Sequence, residues 1–139
     1  MARAFLPARL RRLVIERAGN SCEYCRLHQE HAYVRHNVDH IIPLKHEGTT
    51  ELDNLALACA DCNRYKGSDI AVFDSETREL VRLFNPRQDK WGEHFALDGA
   101  LVIGLTLIGR GTVALLRINE QWRVEQRTNL LKIGAYLID

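Results

Sequence analysis

The four cysteines of this 139-residue chain fall into two Cys-x-x-Cys pairs, Cys22/Cys25 and Cys59/Cys62, with none left over. A pair spaced this way puts two thiolates on one side of a tight turn, within reach of one ion. Zinc takes four soft ligands in a tetrahedron, at about 2.3 Å to sulfur. Two pairs complete that shell and leave no position for water, so the expected site is structural. A redox Cys-x-x-Cys needs no second copy. Disulfides fit poorly with a chain that reads as cytoplasmic. Buried free thiols and an iron–sulfur cluster are the chemical alternatives.

A second set of residues lies inside and beside the 33-residue loop that such an ion would close between Cys25 and Cys59. Asp39-His40 precedes Ile41-Ile42-Pro43. Asn54 follows Asp53. Asn63 stands directly after Cys62, and Lys66 three residues further on. These are the residue types that phosphodiester hydrolysis needs. His40 is the candidate general base, since imidazole can take a proton from water near neutral pH. Asp39 and Asn63 can supply the one or two side-chain oxygens that a hydrated hard ion such as Mg²⁺ requires. Adjacent strand residues point to opposite faces. Either metal and base use that divergence, or the strand bends between Asp39 and His40. Asn63 and Lys66 share a helix face, which makes Lys66 a candidate for substrate phosphate. His36 and His46 lie near the site with a passive role expected. His28, His31 and His94 read as structural or exposed. Asn54 also suits a turn or cap.

The elements that would position these groups follow from periodicity and punctuation. Pro7 can occupy a first helical position, and Leu6, Leu10, Leu13 and Val14 recur at helical spacing, which predicts a helix over Pro7–Ala18. Gly19 and Asn20 stop it. Tyr33–Ile42 reads as extended, ended by Pro43. Residues 45–53 are polar, contain Gly48 and read as a loop. Leu55 and Leu57 alternate with alanine in a second strand, and a helix is expected from Cys59 or Ala60 to Gly67. Beyond residue 70 the pattern predicts a hairpin of Ala71–Asp74 with Glu79–Phe84. It also predicts a helical turn at Trp91–Phe95 and a strand over Ala100–Leu105. Thr106 is the expected cap of a helix to Ile118, a reading that Gly109 and Gly111 weaken. A last helix is expected over Gln121–Leu137.

The whole string resembles the HNH endonuclease family, in its zinc-bound ββα-metal branch, over about residues 10–70. It runs Cys-x-x-Cys, then Asp39-His40-Ile41-Ile42-Pro43, then Asp53-Asn54-Leu55, then Cys59-x-x-Cys62-Asn63-x-x-Lys66-Gly67. The resemblance implies an α+β fold with a ββα-metal (HNH) nuclease core and a four-cysteine zinc site over residues 1–70; the pattern beyond it reads as a mixed α/β C-terminal extension over 71–139. It implies His40 as general base, Asn54 orienting it, and Asp39 with Asn63 holding one Mg²⁺ or Mn²⁺ on the scissile phosphate. It further implies structural Zn²⁺ on Cys22, Cys25, Cys59 and Cys62, and a 5′ phosphate product. One ion clamps one strand, so a nick in DNA is the elementary event; cutting both strands takes a homodimer or two visits. Leu83–Arg87, Trp91, His94-Phe95, Gly104–Thr106 and Gly109–Val113 are similar to the tails of short bacterial HNH proteins. That similarity names no substrate.

Composition bounds these readings without choosing among them. The apolar fraction is 46 %, ordinary for a globular chain, and the net charge is only +1. Residues 1–45 carry eight Lys/Arg against four Asp/Glu, while residues 46–98 carry six against eleven. The basic charge thus sits beside the proposed centre, where Arg11 and Arg12 are the candidate phosphate contacts, with Arg3, Arg9, Arg17 and Arg26 near them. The longest apolar run, Ala100–Ile108, is too short to span a bilayer. The expected partner is nucleic acid, most simply DNA, with no membrane, and the expected compartment is the cytoplasm. A zinc-stabilised nucleic-acid-binding module without catalysis, or a protein-interaction zinc ribbon, would share the cysteines. Neither gives a reason for Asp39, His40 and Asn63 to stand together.

Overall fold

Two sides of one short strand pair organise the molecule. The computed structural model describes residues 6–136 and 138, so Arg3 and Leu137 lie outside the described residues. Strand β1 (Asn37–His40) pairs antiparallel with β2 (Leu55–Ala58) in the register Val38↔Leu57, Asp39↔Ala56, His40↔Leu55. Every residue of β2 is buried. Its alternation sorts the neighbours. Leu55 and Leu57 face the first helix, α1 (Ala8–Arg17), and pack with Val14 and the partly buried Leu6, Leu10 and Val38. Ala56 and Ala58 face the other way, into the main core with the four cysteines, Tyr24 and Ile41. The small alanine side chains let that side approach closely.

Helix α1 starts after Pro7, as its missing N–H allows, and ends where Gly19 and Asn20 both take positive φ. The first cysteine turn then zips along the free edge of β2. Glu23 N donates to Leu57 O at 2.8 Å, and Leu57 N donates to the Glu23 carboxylate at 2.8 Å. Arg17 covers the Leu52 and Leu55 carbonyls at 2.8 and 2.5 Å. Few backbone groups of that edge are left to recruit another strand. Helix α2 (Ala60–Lys66) follows β2 directly, with Cys59 as N-cap and Gly67 at its end.

The predicted extended stretch is shorter than expected. Tyr33 and Val34 are exposed in a loop that Gln29 organises, its amide donating to Val34 O at 3.0 Å. Their β-forming side chains find no sheet to join.

The extension supplies two further antiparallel hairpins, β3 (Ala71–Phe73) with β4 (Leu80–Arg82), and β5 (Phe95–Asp98) with β6 (Leu101–Gly104). Strand β5 was not anticipated, because Phe95 reads equally as the end of the one-turn helix α3 (Trp91–His94). Helix α4 (Leu107–Leu115) is capped by Thr106 Oγ1, which accepts from Gly109 N at 3.0 Å. The glycines that argued against this helix are needed by its packing. A Cβ on Gly109 would lie 2.0 Å from His94 O, and one on Gly111 would lie 2.6 Å from Val72 Cγ1. Helix α5 (Gln121–Lys132) ends before Gly134, earlier than Leu137.

The extension does not have a core of its own apart from the first half. Phe84, Trp91, Phe95, Val102, Leu116 and Ile118 pack in one cluster with the cysteines and Tyr24. Trp91 Nε1 donates to Tyr24 O at 2.8 Å, and Tyr136 OH donates to Cys25 O.

Asp74 closes the first hairpin onto α4. Its buried carboxylate accepts from Arg110 at 3.0 and 3.2 Å and from the Thr77 amide at 2.9 Å. These bonds, the Arg110 one foremost, pull its pKa down to about 2. A carboxylate whose pKa is lower folded than unfolded stabilises the fold above its ordinary value near ~4, and that contribution fades as pH falls through the folded value. The urea midpoint of wild type should therefore exceed that of Asp74→Asn by a constant amount above pH ~5. The gap should close as pH approaches about 2.

Candidate metal centre and active site

The four cysteine sulfurs converge in the core. All four residues are buried, and their Sγ atoms lie within 4.8 Å of one another. Cys25 Sγ and Cys59 Sγ, one from each turn, are 3.7 Å apart. A tetrahedron built on bonds of about 2.3 Å has edges of about 3.8 Å, while a disulfide is close to ~2.05 Å. The donor set and this edge therefore fit zinc and exclude a bridge. Each turn also folds back on its own first sulfur: Cys25 N donates to Cys22 Sγ, and Cys62 N to Cys59 Sγ, both at 3.4 Å. These bonds orient the thiolates before any ion arrives.

The second constellation stands on the same ribbon. β1 keeps regular register through His40, so the divergence of neighbours, rather than a bend, separates Asp39 from His40. Asp39 pairs with Ala56 and points into the main core, where it is 5 % exposed. His40 pairs with Leu55, whose side chain packs against α1, and is partly exposed on that side.

Asp39 does not face open solvent. Its Oδ2 accepts from Tyr24 OH at 2.9 Å and its Oδ1 accepts from Lys66 Nζ at 3.3 Å, and the ammonium also lies 3.2 Å from Oδ2 as an ion pair. Burial pushes the Asp39 carboxyl above its ordinary range, and Lys66 and Tyr24 oppose the shift. The same burial drives the Tyr24 phenol well up, so it stays a donor. A carboxylate offers about four acceptor positions, and two accept hydrogen bonds here. The partly exposed Asn63 stands on α2, the helix that also carries Lys66, and a free carboxylate lone pair with an amide oxygen is a donor set that a hydrated hard ion can use.

Lys66 is placed otherwise than the sequence suggested. It shares the α2 face with Asn63, but it is 2 % exposed and donates to His40 O at 3.1 Å as well as to Asp39. Its charge is spent inside the protein, tying α2 to the end of β1, and is not presented to a phosphate. Asn54, expected to orient the histidine, has no hydrogen bond to it among the described residues. Its side chain accepts from Ile42 N at 2.9 Å and donates to Ile42 O at 2.9 Å and Thr49 O at 2.8 Å. It thereby pins the loop between β1 and β2. The next residue on that loop, Thr50, sets its Oγ1 3.0 Å from His40 Nε2.

That loop closes only because of Gly48. A Cβ there would lie 1.7 Å from Ile42 O. Thr50 and Tyr24 were not singled out in the sequence and left no signal there, whereas Gly48 was read as part of a loop.

The remaining predicted contacts divide. Arg12 is exposed on α1 and Arg11 is half-buried, on the helix that packs against the His40 side of the ribbon. Arg17 is committed to backbone carbonyls, and the Arg26 guanidinium sits 5.5 Å over the Trp91 ring. His36 is buried with Nε2 2.9 Å from Leu27 O, and His94 Nδ1 lies 2.7 Å from Thr106 Oγ1.

Residues 22–69 match the family model described as HNH endonuclease. The segment is an HNH endonuclease domain. The match begins at the first cysteine and takes in both pairs, Asp39, His40, Asn54 and Asn63. The HNH family hydrolyses phosphodiesters, so the domain is an enzyme of nucleic acid. No curated protein and no solved structure matches the chain.

Two outcomes follow for the HNH core. Lys66→Met strands a buried carboxylate and should cost about 3–5 kcal/mol in denaturant unfolding. Pairing it with Asp39→Asn should recover much of that loss, which a double-mutant cycle reads directly. Asn54→Ala removes three bonds to the backbone and should cost about 2–3 kcal/mol, with a fall in activity beyond what the loss of folded protein explains.

Proposed function

We propose that the protein is a divalent-metal-dependent endonuclease that nicks DNA, with zinc confined to the four cysteines and outside the chemistry. The observation that carries this reading is the divergence at the end of β1. One strand sends an imidazole to the accessible side of the ribbon and a carboxylate to the α2 side, where Asn63 stands.

His40 acts as general base. Thr50 Oγ1 holds Nε2 and fixes the ring, so the other nitrogen is the one left to take a proton from water. Asp39 and Asn63 would hold one Mg²⁺ or Mn²⁺. Such an ion supplies charge neutralisation at the phosphate and at the departing 3′ oxygen. Lys66 and Tyr24 hold the Asp39 carboxylate in one orientation, so its unused lone pairs are oriented before binding. Arg11 and Arg12 meet the backbone of the same strand, which predicts binding that weakens steeply with salt. DNA rather than RNA, and a nick rather than a double-strand cut, complete the proposal. Reduced thiols of this kind belong to the cytoplasm.

The extension adds to the surface beside this centre. A hollow of about 220 Å³ is lined by Ile41, Ile42, Asn54 and Lys66 from the HNH domain and by Arg82, Asn85 and Gln88 from the extension. Asp53 and Asp69 line it as well.

The test is nicking of supercoiled plasmid across Mg²⁺, Mn²⁺, Ni²⁺ and Zn²⁺. Wild type should nick with Mg²⁺ or Mn²⁺. His40→Ala should lose about a hundredfold or more in rate, with bound zinc unchanged. Equal rates in the two proteins at equal zinc content would sink the assignment of the base.

A further inference from the structure

Helix α5 brings a buried cation to the cysteine cluster. Arg123 is 4 % exposed. One terminal nitrogen donates to Cys62 Sγ at 3.1 Å and lies 3.9 Å from Cys59 Sγ. The other donates to Leu116 O at 2.8 Å and Arg117 O at 3.2 Å. None of its partners among the described residues is a carboxylate. A guanidinium is charged at any accessible pH, and a buried charge without an opposite one costs several kcal/mol. Among the described residues, the anions it bonds are sulfurs. A dication held by four thiolates carries a net charge of about −2, which is itself costly in an apolar core. Each charge answers the other.

The neighbour one turn on shows what an arginine does here without a sulfur. Arg127 is equally buried, at 3 %, yet bonds only the Ala100 and Ile118 carbonyls and the Asn119 side chain among the described residues. It ties loops together, its charge received by those carbonyl and amide dipoles and by the Tyr136 ring 5.9 Å from Cζ. Arg123 does that with one nitrogen and faces the metal centre with the other.

We propose that Arg123 is the built-in counter-charge of the zinc site, and that through it the metal and helix α5 stabilise each other. The C-terminal extension is thus part of the metal centre, although it supplies no ligand. The inference rests on the reading of the cysteines as a zinc site. It predicts that removing the guanidinium weakens zinc binding, and that removing zinc loosens α5 before α1.

The experiment compares wild type, Arg123→Gln, Arg123→Lys and Arg127→Gln as full-length protein. Zinc per chain is measured first, then zinc affinity by competition with a chromogenic chelator. Arg123→Gln should bind zinc about ten- to a hundredfold more weakly, Arg123→Lys should recover part of the loss, and Arg127→Gln should stay near wild type. With Co²⁺ in place of zinc, Arg123→Gln should shift the sulfur-to-cobalt charge-transfer band, because the hydrogen bond to Cys62 is gone. Arg127→Gln should not shift it. In wild type, chelation should raise amide hydrogen exchange in α5 ahead of α1.

If wild type binds no zinc, the cysteine reading fails and this inference with it. If all four proteins hold zinc with equal affinity and equal cobalt spectra, the zinc site stands and the role of Arg123 falls. An equal loss in Arg123→Gln and Arg127→Gln overturns it too. Should Arg123→Gln not fold, Arg123→Lys decides: affinity above that of the neutral Arg123→Met supports the counter-charge, and equality refutes it.

Discussion

Four sulfurs meeting in the core are the constraint on which the rest depends. They join two turns that are 33 residues apart in sequence, and the ribbon carrying Asp39 and His40 hangs between them. The first turn is fastened to the free edge of β2 through Glu23, and the second opens directly into α2. Once the sulfurs are gathered, the end of β1 and the face of α2 have little freedom relative to one another. A loop closed at its base loses much of its unfolded-state entropy, and the groups at that base keep their spacing without a large core beneath them.

Within this frame the site is held from both sides by different means. On the α2 side, a buried ion pair and a phenol fix the carboxylate. On the α1 side, an amide staples the connecting loop, and the loop's threonine fixes the imidazole. Charge does the holding where water is excluded, and neutral hydrogen bonds do it where solvent reaches. The division suits each group, because the carboxylate stays in one orientation and the imidazole keeps access to water.

Much of this was legible beforehand, and the limits have physical causes. The cysteine pairs, the order of Asp39, His40, Asn54 and Asn63, and the strand–loop–strand–helix sequence are local signals; α1, β2 and α2 form where those signals place them, and β1 forms as the later part of the stretch they mark. The failures involve partners distant in sequence. Lys66 reads as an exposed helical cation because its partner, Asp39, lies 27 residues away. Tyr33 and Val34 read as strand because nothing local says that no neighbour waits for them. Gly109 reads as a helix breaker until His94 O is found against its Cα hydrogens. Arg123 carries no sequence signal at all, since its contact with Cys62 spans 61 residues.

The core shared by the two halves has a consequence for how the molecule comes apart. The family pattern stops at residue 69, but Tyr24 and the cysteines continue into Phe84, Trp91, Phe95, Leu116 and Ile118 without a seam. The recognisable motif and the cooperative unit therefore have different borders. Heating will not melt away an appendage and leave a working nuclease core behind. A chain cut after the motif would keep the four cysteines and His40 while baring the apolar surface that the missing half covers.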